Sequence, residues 1–345
     1  MRKKVIIVGA GASAEFGLPL SEQIFRKLLS EAEKYESARS LRTPKETQEF
    51  LQLDLADLVY EIDGVFHGTH AAGIRNLYEK SRNSFSTSID LFSYINDSDD
   101  VSKYAKLFSA REILKGAHTF RVENTEFGSV AKYYPTLRWR RPFIDSRQNW
   151  LATLMQNYTH GKSNSSELQS DSLRFITFNY DTIIEDALHN FFIHAPRFCE
   201  DMDSALPEVF HVHGSFPKFE GLTGVHSLRK FSESIKFIHE TGQQKDDKID
   251  EFLSEADDIY CVGFEFAHEN VELLELAKYA DKTLALNYSG DLDLQSRMEK
   301  LGLSERQMMK GSASSPLGVS KAARQGFFSL GETAIKPKPQ VIRVN

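Results

Sequence analysis

A continuous β-branched run followed directly by a glycine-rich turn most narrowly limits the folds open to this chain. The run is Val5–Val8, and the turn is Gly9-Ala10-Gly11-Ala12-Ser13. A short apolar run without alternation is typical of a strand buried on both faces of a parallel sheet. Apolar residues at helical spacing follow, at Ile24, Phe25, Leu28 and Leu29. The order of strand, glycine turn and helix predicts the opening unit of an α/β domain.

The same order of strand and helix returns in the second half of the chain. Four segments there are typical of strands: residues 173–178 before Asn179, 209–213 before Gly214, 258–262 before Gly263 and 283–286 before Asn287. Helical spacing follows the first, third and fourth of them. This repetition predicts a doubly wound, mostly parallel α/β sheet. Residues 340–344 are a candidate for a last edge strand.

Residues 21–170 have a different character. Apolar residues recur there at helical spacing in residues 50–59, 91–95 and 150–155, and no series of strand patterns interrupts them. We therefore expect a large helical insertion over 21–170, within an α/β domain made of residues 1–20 and 171–345. Residues 311–320 and 336–339 are typical of loops.

Composition excludes several classes of protein. The chain has 345 residues, of which 41% are hydrophobic and 26% charged, so it can fill a globular core. The net charge of −7 disfavours a broad basic surface for nucleic acid. The local cluster Arg138-Trp139-Arg140-Arg141 is therefore interpreted as a solvated or ion-paired face, and direct binding of nucleic acid is not expected.

Cysteine content and apolar runs bear on the compartment. Cys199 and Cys261 can form neither a disulfide framework nor a four-cysteine zinc site. No apolar run approaches the roughly 18 residues of a membrane helix. The run at Val5–Val8 is too short for a secretion signal. We expect a cytoplasmic protein without a membrane segment.

Glycines after the first strand are a candidate phosphate site. In an open α/β sheet, ligands bind beyond the carboxyl ends of the strands. Gly9 and Gly11 allow the backbone to approach a pyrophosphate, and the amides of Ala10 to Ser13 can hold that anion. The alternative is a tight strand-to-helix turn without a ligand, because the third glycine of the dinucleotide fingerprint is absent unless Gly17 takes its place.

An amide and a carboxylate follow the second predicted strand. Asn179 and Asp181 lie in Thr177-Phe178-Asn179-Tyr180-Asp181, directly after that strand. We interpret Asn179 as a ligand-site residue. Asp181 can serve the same site or cap the helix that starts near Thr182, and the two roles are compatible.

Two histidines close the third predicted strand. His211 and His213 are two residues apart, so on a strand both would face the same side. That spacing permits a metal pair, with His226, His239 or His268 as further ligands, but no nearby acidic trio or cysteine completes the set. We interpret His211 as a buried core residue. His213, next to Gly214, is the better catalytic candidate.

Taken in order, these motifs resemble the sirtuin superfamily, and within it the sirtuin-like enzymes of bacterial anti-phage defence. The matching segments share a position at strand ends or in the first loop, and they are Gly9-Ala10-Gly11-Ala12-Ser13, Gly17-Leu18-Pro19, Thr177-Phe178-Asn179-Tyr180-Asp181, His213-Gly214-Ser215, Val262-Gly263-Phe264 and Asn287. The resemblance covers residues 1–20 and about 171–300. The helical middle carries no matching motif.

The resemblance implies a Rossmann-like fold that binds NAD and breaks the bond between nicotinamide and ribose. It assigns Asn179 and Asp181 to the nicotinamide-ribose end and His213 to the catalytic base. Further NAD-binding positions are implied at the glycine turn and at other strand ends, and these are Gly9, Ala10, Gly11, Ala12, Ser13, Pro19, Gly214, Gly263 and Asn287.

Departures from the sirtuin pattern narrow the expected activity. The four cysteines of the zinc module that helps shape the acyl-peptide groove are absent, so no zinc is expected. Leu20-Ser21 stands where deacetylating sirtuins have a Phe-Arg pair, and Phe264-Glu265 stands where a serine is common. These departures place peptide deacylation in doubt.

The resemblance therefore implies an NAD glycohydrolase, with NAD as substrate, that depletes NAD in anti-phage defence and causes abortive infection. A protein deacylase or ADP-ribosyltransferase using the same pocket is the first alternative, and a non-catalytic nucleotide-binding subunit is the second. Because free activity would poison the cell, we expect control by homo-oligomerisation or by a regulatory partner. Related systems use a helicase-like ATPase, an Argonaute-type protein or a phage component.

Overall fold

The fold is described from a computed structural model. The described residues are 2–41, 68–96, 98–117, 119–125, 128–134, 149–168, 172–193, 195–198, 206–216, 227–237, 240, 246–288, 292–311, 318–325 and 327–329. Three segments with a sequence-based prediction, the helix at 50–59, the loop at 336–339 and the edge strand at 340–344, lie outside these residues, as do Cys199 and the cluster Arg138–Arg141.

Eight strands form two sheets in the described part of the chain. Their bounds are β1 Lys4–Val8, β2 Thr119–Thr125, β3 Gly128–Tyr134, β4 Leu173–Thr177, β5 Glu208–His211, β6 Asp258–Val262, β7 Thr283–Tyr288 and β8 Met308–Gly311. The large sheet has the order β5-β4-β1-β6-β7-β8, and every neighbouring pair in it is parallel. From β1 the sheet continues through β4 and β5 on one side and through β6, β7 and β8 on the other, which is the Rossmann order. The direction of this order reverses between β1 and β6, which is the topological switch point.

The helices connect these strands and form most of the insertion. Their bounds are α1 Ala10–Ala14, α2 Ser21–Leu41, α3 Gly68–Arg82, α4 Ile89–Ile95, α5 Asp99–Ala117, α6 Trp150–Thr159, α7 Ile183–Ile193, α8 Ser227–Ser234, α9 Asp247–Glu255, α10 His268–Leu274, α11 Leu292–Lys300 and α12 Gly318–Arg324. No helix among the described residues is long and apolar enough to cross a membrane.

Alternation along β1 divides the core into two layers. Ile6 and Val8 face an apolar cluster shared with α2 to α8 and α12, whereas Val5 and Ile7 face a second cluster built with α9 to α11. Each of these side chains is at most 2% exposed, and burial of a side chain of this size contributes about 1.5–3 kcal/mol. The sheet is therefore covered on both faces, and the insertion packs on one of them.

The predicted Rossmann-like α/β fold with a helical insertion is confirmed, with three local corrections. The insertion contains an antiparallel hairpin, β2 and β3, where the sequence analysis found no strands. An edge strand lies at Met308–Gly311, which carries no β-branched residue to signal it. The predicted loop over 311–320 is wrong at its end, because α12 begins at Gly318.

Candidate active site

Close backbone packing between β1 and β6 builds the floor of the site. The amide of Gly9 donates to the Val262 carbonyl at 3.0 Å, and that of Gly11 donates to the Gly263 carbonyl at 3.1 Å. A Cβ on Gly9 would lie 2.5 Å from the Gly263 oxygen. Gly263 itself has φ +58°, and a Cβ there would lie 2.1 Å from the Ala12 nitrogen. Glycine is therefore needed on both sides of the switch point.

The glycine turn has the predicted position, but some of its backbone amides are already hydrogen-bonded within the protein. Besides the Gly11 amide, the Ala12 amide is bonded, to the Gly9 carbonyl at 3.0 Å. Gly17 is exposed with φ +88°, and a Cβ there would meet nothing within 4 Å. Gly17 therefore ends the turn after α1 and does not supply the close helix–strand packing of a third fingerprint glycine.

Asn179 joins the end of β4 to the glycine turn. Its Nδ2 donates to the Gly9 carbonyl at 3.1 Å and to Ser13 Oγ at 2.8 Å, and the residue is 7% exposed. Because a carbonyl can only accept, the bond to Gly9 fixes which end of the amide is nitrogen. Both Nδ2 hydrogens are used, and Oδ1 makes no hydrogen bond to the described residues. Oδ1 is therefore the atom that Asn179 can offer to a ligand.

Asp181 is buried beside the same turn. Its Oδ1 accepts from the Ile183 amide at 3.1 Å at the start of α7, so the predicted capping role is confirmed. Desolvation raises the pKa of Asp181 to about 6, against the lowering effects of hydrogen bonds from Ile183 and Ser13. The carboxyl is thus poised to be charged or neutral close to physiological pH.

His213 is the least satisfied polar side chain of the site. It is 4% exposed, and both of its ring nitrogens are buried without a hydrogen-bond partner among the described residues. The ring packs against Phe178 and Tyr180, the two residues that flank Asn179. The ring centroids are 5.4 Å and 6.4 Å apart, respectively. Desolvation lowers the pKa of His213 to about 4, so the imidazole is neutral at pH 7. An unpaired buried group costs about 1–3 kcal/mol and calls for an explanation such as a ligand.

The conformation of the turn that carries His213 requires glycine at the next position, Gly214. β5 ends at His211, so His213 lies two residues beyond the strand and not on it as predicted. Gly214 follows with φ +81°, and a Cβ there would lie 2.5 Å from the Ser234 carbonyl. Glycine at this position lets the chain turn against α8 and bring the imidazole back over the sheet edge.

His211 is expected from the sequence to be a buried core residue, but it is half-buried and its ring is hydrogen-bonded on both sides. Its Nε2 lies 2.6 Å from Glu185 Oε1, and its Nδ1 lies 2.9 Å from the Asn179 carbonyl oxygen. Burial favours the neutral ring, but Glu185 and the Asn179 carbonyl outweigh that effect and raise the pKa of His211. Sequence reasoning missed Glu185. The available signal was its position in the first turn of the helix that follows Asp181, four residues further along the chain.

An aromatic wall lies on the β6 and β7 side of the site. Phe264 packs between Phe178 and Phe266, with ring centroids 5.1 and 5.0 Å apart. Asn287, at the end of β7, donates from Nδ2 to the Phe264 carbonyl at 2.6 Å and so holds this segment in place. The structure therefore brings Asn287 to the same sheet edge as the glycine turn.

Glu15 and Trp150 fix the glycine turn from behind, and neither was singled out from the sequence. Glu15 is 8% exposed and accepts from the Val319 amide at 2.7 Å, and also from Ser320. Trp150 Nε1 donates to the Ala12 carbonyl at 3.2 Å. These bonds join residues more than 130 positions apart, so no local pattern could have revealed them.

The remaining residues to consider are Pro19, a predicted NAD-binding position, and the histidines considered as further metal ligands. Pro19 is half-buried, and its Cδ would lie 3.1 Å from a Cβ on Gly116 of α5. His268 is exposed and pairs with Glu272, while His226 and His239 lie outside the described residues. Within the described ranges, no three His, Cys, Asp or Glu side chains are grouped to hold a metal ion.

Comparisons with known proteins were made for the whole chain. No protein-family model matches it, and no curated protein is significantly similar to it.

Proposed function

We propose that the protein hydrolyses NAD at the bond between nicotinamide and ribose. One observation carries the proposal: the imidazole of His213 is buried and unpartnered among the described residues, and it packs against Phe178 and Tyr180, which flank Asn179. The side-chain amide of Asn179 is tied to the glycine turn. Such an arrangement fits a base and an acceptor that are reserved for a ligand. The ordered motifs that resemble sirtuin-like enzymes support NAD as that ligand.

Each residue has a defined task in this reaction. Water attacks C1′ of the ribose, the C1′–N bond breaks, and its electron pair neutralises the nicotinamide ring. Asn179 Oδ1 accepts a hydrogen bond from the attacking water or a ribose hydroxyl. The Asp181 carboxylate stabilises the positive charge that develops at C1′. Neutral His213 accepts the proton released by the water.

Protonation states are consistent with these tasks at neutral pH. His213, with a pKa of about 4, is free to accept a proton. Asp181, with a pKa of about 6, is mostly ionised at pH 7.

The direct experiment measures nicotinamide release from NAD by the purified protein, with and without an acetylated peptide. We expect release that does not need the peptide. Asn179→Ala and His213→Ala should each lower the rate by about 100-fold or more, which is typical for loss of a positioned base or a transition-state contact. His268→Ala, which removes an exposed histidine, is the matched control.

Three results would contradict the proposal in different ways. Release that depends on the peptide would favour the deacylase or transferase alternative. Unchanged turnover in Asn179→Ala and His213→Ala would place the reaction elsewhere. NAD binding without turnover under any condition would favour a nucleotide-binding subunit.

We further propose that the activity serves anti-phage defence and is restrained in the uninfected cell by oligomeric state or by a partner protein. An uncontrolled NAD hydrolase would deplete its own host. Low turnover by the isolated protein that rises when the product of a neighbouring gene is added is the expected result. High basal turnover in cells without a growth defect would contradict restraint.

A further inference from the structure

His211 lies directly behind Asn179, and its hydrogen bonds define its proton positions. The backbone carbonyl oxygen of Asn179 can only accept a hydrogen bond. Its distance of 2.9 Å to Nδ1 of His211 therefore requires a proton on Nδ1. Nε2 faces Glu185 Oε1 at 2.6 Å. If Glu185 is ionised, Nε2 must donate as well. If Glu185 is protonated, it donates to Nε2, so Nδ1 keeps its proton in either case.

Glu185 therefore supports the proton on Nδ1 with which His211 holds Asn179: as a carboxylate it stabilises the doubly protonated ring, and as an acid it donates to Nε2. The other oxygen of Glu185, Oε2, is buried without a hydrogen-bond partner among the described residues, so His211 is the partner that satisfies this carboxyl. The charged groups that act on His211 are Glu185 from α7 and Asp181 from the preceding turn, and both favour its charged form. The strand next to it contributes uncharged Thr177 in register.

Asn179 is thus fixed from two sides. Its side-chain nitrogen is held by Gly9 and Ser13, and its backbone carbonyl is held by His211. With both ends fixed, Oδ1 has a single direction in which it can meet a ligand. A histidine oriented by a carboxylate usually serves as a base, but here both nitrogens of His211 are engaged and cannot reach substrate.

We propose that His211 and Glu185 form a positioning pair that sets the orientation of Asn179 for NAD hydrolysis, while His213 alone acts as the base. This role rests on the proposed function. It assigns different tasks to two histidines that the sequence separates by one residue. Neither His211 nor Glu185 contacts the reacting atoms.

The test is a double-mutant cycle on NAD hydrolysis. His211→Phe should lower kcat on the order of tenfold while KM for NAD changes little, because the substitution releases Asn179, the residue that orients the reacting groups. In the Asn179→Ala background the same substitution should cost less than twofold. A merely structural role would reduce activity equally in both backgrounds.

Glu185 offers a conservative series that does not depend on the folding of His211→Phe. Glu185→Met removes the hydrogen-bonding partner of Nε2 and should lower kcat, whereas Glu185→Gln should restore most of it, because glutamine can donate to Nε2 or accept from it. Glu272→Met, which breaks the exposed His268–Glu272 pair, is the matched control and should leave kcat unchanged. Thermal unfolding of each variant checks its fold.

The outcomes separate this role from the proposed function. Equal losses from His211→Phe in both backgrounds, or equal losses in Glu185→Met and Glu185→Gln, would overturn the positioning role and leave NAD hydrolysis intact. Absence of turnover by the unsubstituted protein under all conditions would overturn the proposed function itself, and the positioning role with it. Nitrogen NMR of His211 should show Nδ1 protonated throughout, and a proton on Nε2 alone would contradict the role.

Discussion

The two edges of the parallel sheet differ in how their polar side chains are paired. At the amino edge, charged groups from neighbouring elements pair with one another: Arg2 with Asp258 at 2.6 Å, Lys3 with Glu255 at 2.9 Å and Arg174 with Glu255 at 3.1 Å. At the carboxyl edge, polar groups are buried, and His213 has no partner among the described residues.

This difference in pairing suggests that polar groups at the amino edge serve stability, whereas those at the carboxyl edge serve function. The ion pairs at the amino edge contribute little where both partners are partly exposed, as in Lys3–Glu255. Asp258 is instead buried, its Oδ2 has no partner among the described residues, and desolvation raises its pKa. Buried groups with displaced pKa values reduce stability and occur preferentially at functional sites. At the carboxyl edge, burial raises the pKa of Asp181 to about 6 and lowers that of His213 to about 4. We therefore expect substitutions at the two edges to act on different properties.

Gly263→Ala should have the largest effect, because it disrupts the floor of the site. A Cβ at Gly263 would lie 2.1 Å from the Ala12 nitrogen, and the backbone there has φ +58°. We expect the free energy of unfolding to fall by more than about 3 kcal/mol, and NAD binding to be lost. Urea unfolding and calorimetric titration with NAD measure the two effects.

Gly302→Ala is the matched control for that substitution. Gly302 has φ +80°, yet a Cβ there would meet nothing within 4 Å. Only the backbone cost of about 1–2 kcal/mol should appear, with NAD binding unchanged. Equal losses for the two alanine variants would show that the close approach of β1 and β6 has no special importance.

Asp181→Asn should have an intermediate effect with a distinctive dependence on pH. Because the folded pKa of about 6 lies above the unfolded value near 3.8, Asp181 reduces stability as pH rises from the lower value through the higher. The variant should be more stable than the unsubstituted protein by about 2 kcal/mol at about pH 8, and this advantage should fade as pH falls from about 6 towards 3.8.

Urea unfolding across this pH range measures the effect, and nicotinamide release should fall in the same variant. A stabilisation that does not vary with pH would show that the carboxyl does not titrate in this range. Lower stability at every pH would show that the cap at Ile183 matters more than burial of the charge.

Asp258→Asn, at the opposite edge, should have the smallest effect. Asp258 is buried and pairs with Arg2, whose side chain is 39% exposed. We expect the free energy of unfolding to change by about 1 kcal/mol or less, because burial of the charge, which raises the pKa of Asp258, offsets its attraction to Arg2. Nicotinamide release should stay the same. A loss of activity comparable to that of the carboxyl-edge variants would remove the functional distinction between the edges.

The sequence predicts those parts of the molecule whose signals are local. The β-branched run of β1, the glycines after it and the polar residues after β4 follow strand and turn chemistry that is legible within a few residues. For that reason, the sheet class and the positions of Asn179 and Asp181 at its carboxyl edge could be expected before the structure was known.

Other features depend on contacts between residues distant in the chain. Met308–Gly311 becomes a strand because it lies beside β7, not because of its own propensity. Glu185 gains its role from His211, which lies 26 positions away, and Glu15 from Ser320, 305 positions away. A buried carboxylate and a solvated one have the same appearance in a sequence, so only the fold distinguishes them.

The most direct test of the central claim is the nitrogen NMR spectrum of histidine-labelled Asn179→Ala protein, recorded before and after addition of NAD. We predict that the ring signals of His213, whose nitrogens have no partner among the described residues, shift strongly because they gain a neighbour, whereas exposed His268 stays unchanged. Saturating NAD that leaves His213 undisturbed would contradict the assignment of this sheet edge as the NAD site.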